Sequence, residues 1–483
     1  ALSSAASDVY KRQDMGEVCI EKVRPMEDRV SIGMCLYFGL LYNSGGNCQS
    51  YYGKANFEET AAMAGVTGQD IVRCKANLMD MKISVISSHK ISVRAVVLVT
   101  VSAEEIYDRE VIKKIEMDNV RDERLEVRMM KLIANRKDTF RIRESVNINQ
   151  GMSNIGEIIW QELRVKDLCF TPADGRIDVK GNLSFFVIYQ GENGGELNYY
   201  DNVVPFSGSL DISNGRQEDV YDINIVSCEK SLISRNDGNG ETRIFDGEII
   251  MSLDICGYRN EDVSLLTDIY APGYEITPKT EKLEYERLVE NKVVDIDINE
   301  RIKNEDGGKI IYTCGDVIVD EIIQKDNKID IEGTISVQIM MEDKEAMPPI
   351  TVSHHDIPFS YQAGMDKYEK DSELCGKVNN ISLYSKRISD KEISVNGTIK
   401  MEIMAKSTTT TPVVINADVE KVPKEKLKNI PGITGYIVKE GDTLWNIAKR
   451  FYTTADSIME ANNLENDMIY PGMKLIILKL YCF

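Results

Sequence analysis

The sequence predicts a mainly β protein: three tandem antiparallel β-rich repeat domains with some helix, then a small α+β module of order β-α-α-β. Two observations carry this. An alternating apolar pattern recurs three times along the 483 residues at a spacing of about 150. Near the C-terminus the apolar period changes from two to that of a helix and back again.

The repeat is anchored by segments that align without gaps. Arg29–Tyr42 reads RVSIGMCLYFGLLY, Arg176–Tyr189 reads RIDVKGNLSFFVIY and Lys328–Met341 reads KIDIEGTISVQIMM. Apolar residues alternate at Val30, Ile32, Met34, Leu36 and Phe38, at Ile177, Val179, Leu183 and Phe185, and at Ile329, Ile331, Ile335, Val337 and Ile339. Period two over this length predicts strands with one buried face. A phenylalanine follows each, at Phe57, Phe206 and Phe359, then a closing alternating segment from Ile91, Arg243 and Ile393. The spacings agree: Arg29 to Arg176 is 147 and Arg176 to Lys328 is 152, while Ala95 to Gly247 is 152 and Gly247 to Gly397 is 150. A period this long is too great for a solenoid repeat and predicts whole domains strung together, each with its own core.

A leading segment precedes the second copy (Phe140–Trp160) and the third (Ile296–Cys314). The first copy begins near Gly16 without one, which is expected of an N-terminal truncation. The first thirteen residues, ALSSAASDVYKRQ, match nothing downstream and resemble translated adapter sequence; they are set outside the fold as a non-native segment, residues 1–13. The predicted domains are residues 14–105, 138–256 and 292–406, a linker at 407–434 and the terminal module at 435–479. The connector Ala103–Lys137 interleaves acidic and basic residues and reads as a solvated face, as helix or as long strand. Gly191–Gly195 and Gly238–Gly240 read as hairpin turns.

The terminal module reads GYIVKEGDTLWNIAKRFYTTADSIMEANNLENDMIYPGMKLIILK from Gly435. Tyr436–Lys439 is a short strand. Gly441-Asp442-Thr443 turns the chain and caps a helix whose apolar face is Leu444, Ile447, Ala448 and Phe451. A second helix starts at Ala455 or Asp456, and Asn462-Asn463 ends it. Tyr470-Pro471-Gly472 is a turn, and Lys474–Leu478 is the returning strand.

Composition narrows the function. Asp and Glu number 78 against 58 Lys and Arg, a formal charge of −20, which repels nucleic-acid backbones and anionic membranes. No run of about 18 apolar residues occurs, so no transmembrane helix is expected. The three histidines are His89, His354 and His355. His354-His355-Asp356 has no counterpart in the other repeats and reads as surface. None of the ten cysteines stands at C-x-x-C spacing, and they read as reduced, buried residues of a cytosolic protein. With no nucleophile elbow, metalloprotease or phosphate-loop motif, no catalytic, metal-binding or cofactor-binding residues are expected, and the protein is expected not to be an enzyme.

The repeats resemble the SPOCS domain of SipL-like spore coat morphogenetic proteins. The resemblance rests on the glycine-led strands at Gly181 and Gly333, on Val204-Pro205-Phe206 and Ile357-Pro358-Phe359, and on the closing strands. The first copy has Ala55-Asn56-Phe57 instead, and its Gly33 falls one position early. The terminal module resembles a LysM domain, through Gly441-Asp442-Thr443-Leu444-Trp445, Asn462-Asn463-Leu464 and Ile469-Tyr470-Pro471-Gly472 in order.

These resemblances imply a non-enzymatic scaffold of the endospore coat. It would act in the mother-cell cytoplasm at the forespore surface, with the coat basement-layer ATPase as partner and LysM as the binding module. The alternative they imply is a peptidoglycan-binding anchor in the cell wall or cortex that takes N-acetylglucosamine glycan. Carried over from the LysM family, the binding residues are Gly441, Asp442, Thr443, Leu444, Asn466, Met468, Ile469, Tyr470 and Pro471. Trp445 reads as packing as readily as a sugar platform, and self-association through edge strands of the repeats is a further expectation.

Overall fold

The computed structural model describes residues 9–44, 47–87, 90–106, 108–304, 307–343, 349–367, 369, 372–423, 425–426 and 429–480. Strand accounts for 74% of the structure and helix for 4%, which makes it the mainly β fold that the period-two patterning predicts. His89 lies outside the described residues.

The chain divides into two compact units. The first comprises residues 1–107, 131–259 and 288–407 and holds the three repeats. In the first repeat β1 (Val9–Met26), β2 (Arg29–Ser44) and β3 (Asn47–Ala62) form one antiparallel sheet, and β4 (Ile71–Ser87) with β5 (Lys90–Glu104) forms a second. The second repeat has a leader strand β6 (Arg121–Asn147), a sheet of β7 (Ile155–Ala173), β8 (Arg176–Gly191) and β9 (Leu197–Asp211), and a pair β10 (Val220–Asn236) and β11 (Thr242–Tyr270). The third repeats this with β12 (Tyr274–Lys303), then β13 (Lys309–Lys325), β14 (Lys328–Glu342) and β15 (Ile350–Gly364), then β16 (Glu373–Ser389) and β17 (Glu392–Lys421). The leader strands join the second sheets, in the orders β10-β11-β6 and β12-β17-β16. The connector therefore resolves into strand from Arg121 onward. The glycine-rich segments at 191–195 and 237–241 lie between paired strands, as predicted.

The first hairpin of each repeat closes through a two-residue turn: Glu27-Asp28, Asp174-Gly175 and Asp326-Asn327. One residue of each turn is left-handed, at φ 58° for Asp28, 76° for Gly175 and 53° for Asp326. Gly and Asp accept that region more easily than branched residues.

The glycine-led strands have a packing reason. Gly181 pairs across the sheet with Phe206, and Gly333 with Phe359. The phenylalanine ring lies where a Cβ would stand, 2.7 Å from that position at Gly181 and 2.8 Å at Gly333. In the first repeat Phe57 faces Met34 instead, so the glycine one position earlier has no ring over it. Gly333→Ala would also press its Cβ on the Ile318 carbonyl. It is expected to cost about 1–3 kcal/mol, the usual range for overpacking, measured by chemical denaturation; a loss below about 0.5 kcal/mol would contradict this packing.

Each repeat has its own core. That of the first includes Val30, Ile32 and Met34, that of the second Ile177, Phe185 and Phe245, and that of the third Ile331, Ile335 and Val395. The repeats are not simply strung together, however. A fourth cluster takes residues from all three. Leu41, Ile188 and Met340, spaced 147 and 152 apart, occupy the same repeat position and are all at most 1% exposed. Cys48, Leu197 and Ile350 are likewise equivalent and join the same cluster.

The three meander sheets close into a ring. β3 meets β7 where Tyr52 stacks on Trp160, with centroids 5.7 Å apart, and where the Gln161 amide donates to the Tyr52 hydroxyl at 3.1 Å. β9 meets β13, with Lys309 Nζ 5.2 Å from the Tyr199 ring centroid, and β15 lies against β1. The sequence carried a trace of this. Phe185–Tyr189 is apolar at every residue and buried on both faces, as a strand covered on both sides must be.

Charge at equivalent positions distinguishes the repeats. Glu17, Arg164 and Asp316 share one repeat position. Arg164 pairs with the buried Glu162 and lies 3.4 Å from Asp316, while Glu17 pairs with Lys230. At another shared position, Lys406 Nζ lies 3.3 Å from Glu104, and Glu104 also accepts from the Tyr258 hydroxyl at 2.7 Å. Opposite charges on otherwise similar surfaces select which repeat neighbours which.

The second unit comprises residues 108–130, 260–287 and 408–483. Here the outer stretches of β6, β11, β12 and β17 pack Leu265, Leu283 and Val413 with Val111 and Val127, and Leu266, Ile269 and Val414 with Ile112 and Ile276. The Thr-rich stretch read as linker continues as strand to Lys421. Its β-branched Thr and Val residues suit an extended, half-buried backbone. No helix among the described residues is long and apolar enough to cross a membrane.

Candidate functional site

Within the second unit the C-terminal module forms from local signals. β18 (Ile433–Ile437) pairs antiparallel with β19 (Lys474–Leu478). α1 (Leu444–Arg450) begins at Thr443, whose Oγ1 accepts from the Asn446 amide at 3.1 Å. α2 (Ala455–Ala461) begins at Thr454, which accepts from the Ser457 amide at 3.1 Å. These caps satisfy amides that have no partner inside the helix. Asn463 follows α2 in the left-handed region at φ 54°. Val438, Leu444, Ile447, Ala448, Ile458, Leu475 and Ile477 make the core.

Two loops stand side by side because backbone bonds join their bases. The Val438 amide donates to Met473 O at 2.9 Å, and the Gly472 amide to Val438 O at 2.8 Å. In the first loop Gly441 turns at φ 83°. Asp442 accepts from the Lys439 amide at 2.7 Å and from the Tyr436 hydroxyl at 2.8 Å. Those two donors hold its carboxyl below the usual value. In the second loop Asn466 accepts from the Met468 amide at 3.1 Å, and Gly472 turns at φ 89°.

The nine residues carried over as binding residues therefore do different things. Asp442 and Asn466 use their side chains to shape the loops, Thr443 caps α1, Leu444 is buried, and Ile469 packs on the core. The side chains presented outward are those of Met468, 74% exposed, and Tyr470, 65% exposed, with Pro471 beside them. A rim of flexible thioether, aromatic ring and pyrrolidine beside loop amides suits a ligand with an apolar patch and hydrogen-bonding groups.

A family model for the LysM domain matches residues 436–478. One described as SipL, SPOCS domain, matches residues 12–86 and 154–229. The chain carries SPOCS domains and a LysM domain.

Among curated proteins, a probable N-acetylmuramidase of Lactococcus lactis subsp. cremoris is 48% identical over 44 residues, 9% of this chain and 10% of its own length. A probable endopeptidase p60 of Listeria monocytogenes is 56% identical over 39 residues, 8% of each chain. The uncharacterized protein YkzQ of Bacillus subtilis is 51% identical over 37 residues, 8% of this chain and 49% of its own length. This chain thus spans about a tenth of the length of these two relatives, and it meets them through the LysM domain. No solved structure matches. LysM and SPOCS are binding modules.

Motif spacing gave no sign of how the LysM domain is held in its unit. The Trp445 indole N–H donates to Asp268 at 2.8 Å, and Lys449 Nζ lies 2.6 Å from the same carboxylate. Tyr270 meets the indole edge-on at 4.7 Å and belongs to the LysM core. Burial alone would raise the Asp268 carboxyl, but Lys449 and the indole N–H outweigh it and leave it below the usual value. Trp445 is packing and hydrogen-bonded, not an open platform. Asp268 and Tyr270 sit far away in sequence on β11, in a stretch with no motif.

Proposed function

We propose that this protein is a non-enzymatic scaffold of the endospore coat. In this reading it tethers the coat basement layer at the forespore surface, on the mother-cell side, and its LysM loops engage the basement-layer ATPase. The observation that carries the proposal is the SipL-type SPOCS match over 12–86 and 154–229. The LysM domain is shared with wall enzymes, whereas the SPOCS repeats point to the coat. The core shared by all three repeats supports the same reading, since repeats that pack on one another suit a structural role. Seating on Asp268 and Tyr270 would keep the loops preorganised, which lowers the ordering cost of binding.

The second reading, a peptidoglycan anchor of wall or cortex, is favoured by the LysM matches to a muramidase and an endopeptidase. Full-length protein incubated with insoluble peptidoglycan and with purified basement-layer ATPase separates the two. Scaffold function predicts retention by the ATPase; retention by peptidoglycan alone would overturn it. The double variant Met468→Ala/Tyr470→Ala is expected to weaken the productive interaction at least tenfold, as loss of interface anchors does. Thermal unfolding should stay nearly unchanged, since both side chains are exposed.

A further inference from the structure

The rim of the LysM loops carries charge that the fold leaves unpaired. Glu440 stands in the first loop beside Gly441, and Glu465 and Asp467 stand in the second, on either side of Asn466. All three are exposed, and none of their carboxylates makes an ion pair among the described residues. Asn466 accepts from the Met468 amide at 3.1 Å, and that turn displays Asp467 and Met468 side by side. The neighbouring cations are engaged elsewhere. Lys439 and Arg450 act on Asp442, Arg450 lies 6.0 Å from the Tyr436 ring centroid, and Lys449 is held by Asp268. Lys474 stands at the start of β19, opposite Ile437.

Three free carboxylates around the exposed Met468 and Tyr470 select an occupant. A neutral sugar gains nothing from them, and a polyanion is repelled. A second copy of the loops would set carboxylate against carboxylate. A cationic chain with an apolar side chain to bury meets both features. One exposed ion pair contributes only about 0–1 kcal/mol, so the charges act on encounter and selection, while the apolar contact supplies most of the affinity.

We propose that the loops dock a basic polypeptide segment whose Lys or Arg residues flank an apolar side chain. Met468 and Tyr470 cover that side chain, and Glu440, Glu465 and Asp467 face the cations. The assignment rests on the loops being the binding surface, as in the scaffold reading, and adds the chemistry of the segment they take.

The test uses the full chain and two fluorescent peptides of equal length, one alternating Lys with Leu and the other Glu with Leu. The Lys peptide is expected to bind saturably and to associate about tenfold faster than the Glu peptide, a steering effect. That preference should vanish at about 1 M salt, where charges are screened beyond about 3 Å. The triple variant Glu440→Lys/Glu465→Lys/Asp467→Lys should remove it. Glu157→Lys/Glu196→Lys/Glu229→Lys, the same change of charge at exposed positions on the repeats, should leave it in place. Met468→Ala/Tyr470→Ala should weaken binding of the Lys peptide about tenfold. Equal effects of the two triple variants, or no saturable binding of the Lys peptide, would overturn the proposal. If the Lys peptide binds as expected while the basement-layer ATPase is not retained, the scaffold reading fails and the loop assignment stands. If the ATPase is retained equally by the parent chain and the loop variant, the assignment fails and the scaffold reading stands.

Discussion

Trp160→Ala is expected to cost about 3–5 kcal/mol, the range for truncating a buried aromatic residue. Trp160 is fully buried, stacks on Tyr52 of the first repeat and lies in the cluster shared by all three repeats. Its loss opens a cavity where three sheets meet, which no single repeat can refill by collapsing on itself. Burial at this contact also pushes the Tyr52 hydroxyl up to about 12. In Trp160→Ala the hydroxyl should move back toward its ordinary value near 10, a change that ultraviolet titration reads. Trp160→Phe should cost less than about 1.5 kcal/mol, because among the described residues the indole nitrogen of Trp160 has no hydrogen-bond partner to lose. Chemical denaturation of the two variants decides the matter; equal losses, or a loss below about 1 kcal/mol for alanine, would mean that the ring of repeats does not act as one core.

Asp268→Ala is expected to release the LysM domain from its seat. The carboxylate holds both the Trp445 indole and the Lys449 ammonium. It is about one-fifth exposed and Lys449 about one-third, so solvent screens the pair and the loss should be about 1–3 kcal/mol, less than for a fully buried pair. The readout is local: red-shifted Trp445 emission and faster amide exchange in residues 433–478, with the repeats unaffected. The same carboxylate makes the seat sensitive to acid. Its folded pKa lies below its unfolded one, so its contribution is complete above the unfolded value near pH 4 and is lost as pH falls through the depressed folded value. Asp268→Asn should remove that dependence while keeping one acceptor for the indole. A Trp445 emission that stays fixed from pH 6 to about pH 2.5 in the parent chain would refute the assignment.

The two predictions concern contacts of different legibility. The LysM elements were readable because they are local. Thr443 and Thr454 cap within three residues, the apolar face of α1 repeats within one turn, and β19 was placed at Lys474–Leu478 from the turn before it. The roles of the candidate loop residues were less readable. Family spacing named nine, but whether a side chain faces solvent or the loop depends on who donates to it, and Asp442 and Asn466 turned out to serve the loops.

The sequence by itself determined the strand content, the threefold repeat, the hairpin turns and the terminal β-α-α-β module, because each depends on periodicity or on neighbours a few residues apart. Only the tertiary structure decided that Leu41, Ile188 and Met340 meet in one core, and that Trp445 is held by Asp268, 177 residues away. Alternation says which face of a strand is buried, but not what buries it. That choice follows from shape and charge brought together across more than a hundred residues, where no local pattern constrains the partner.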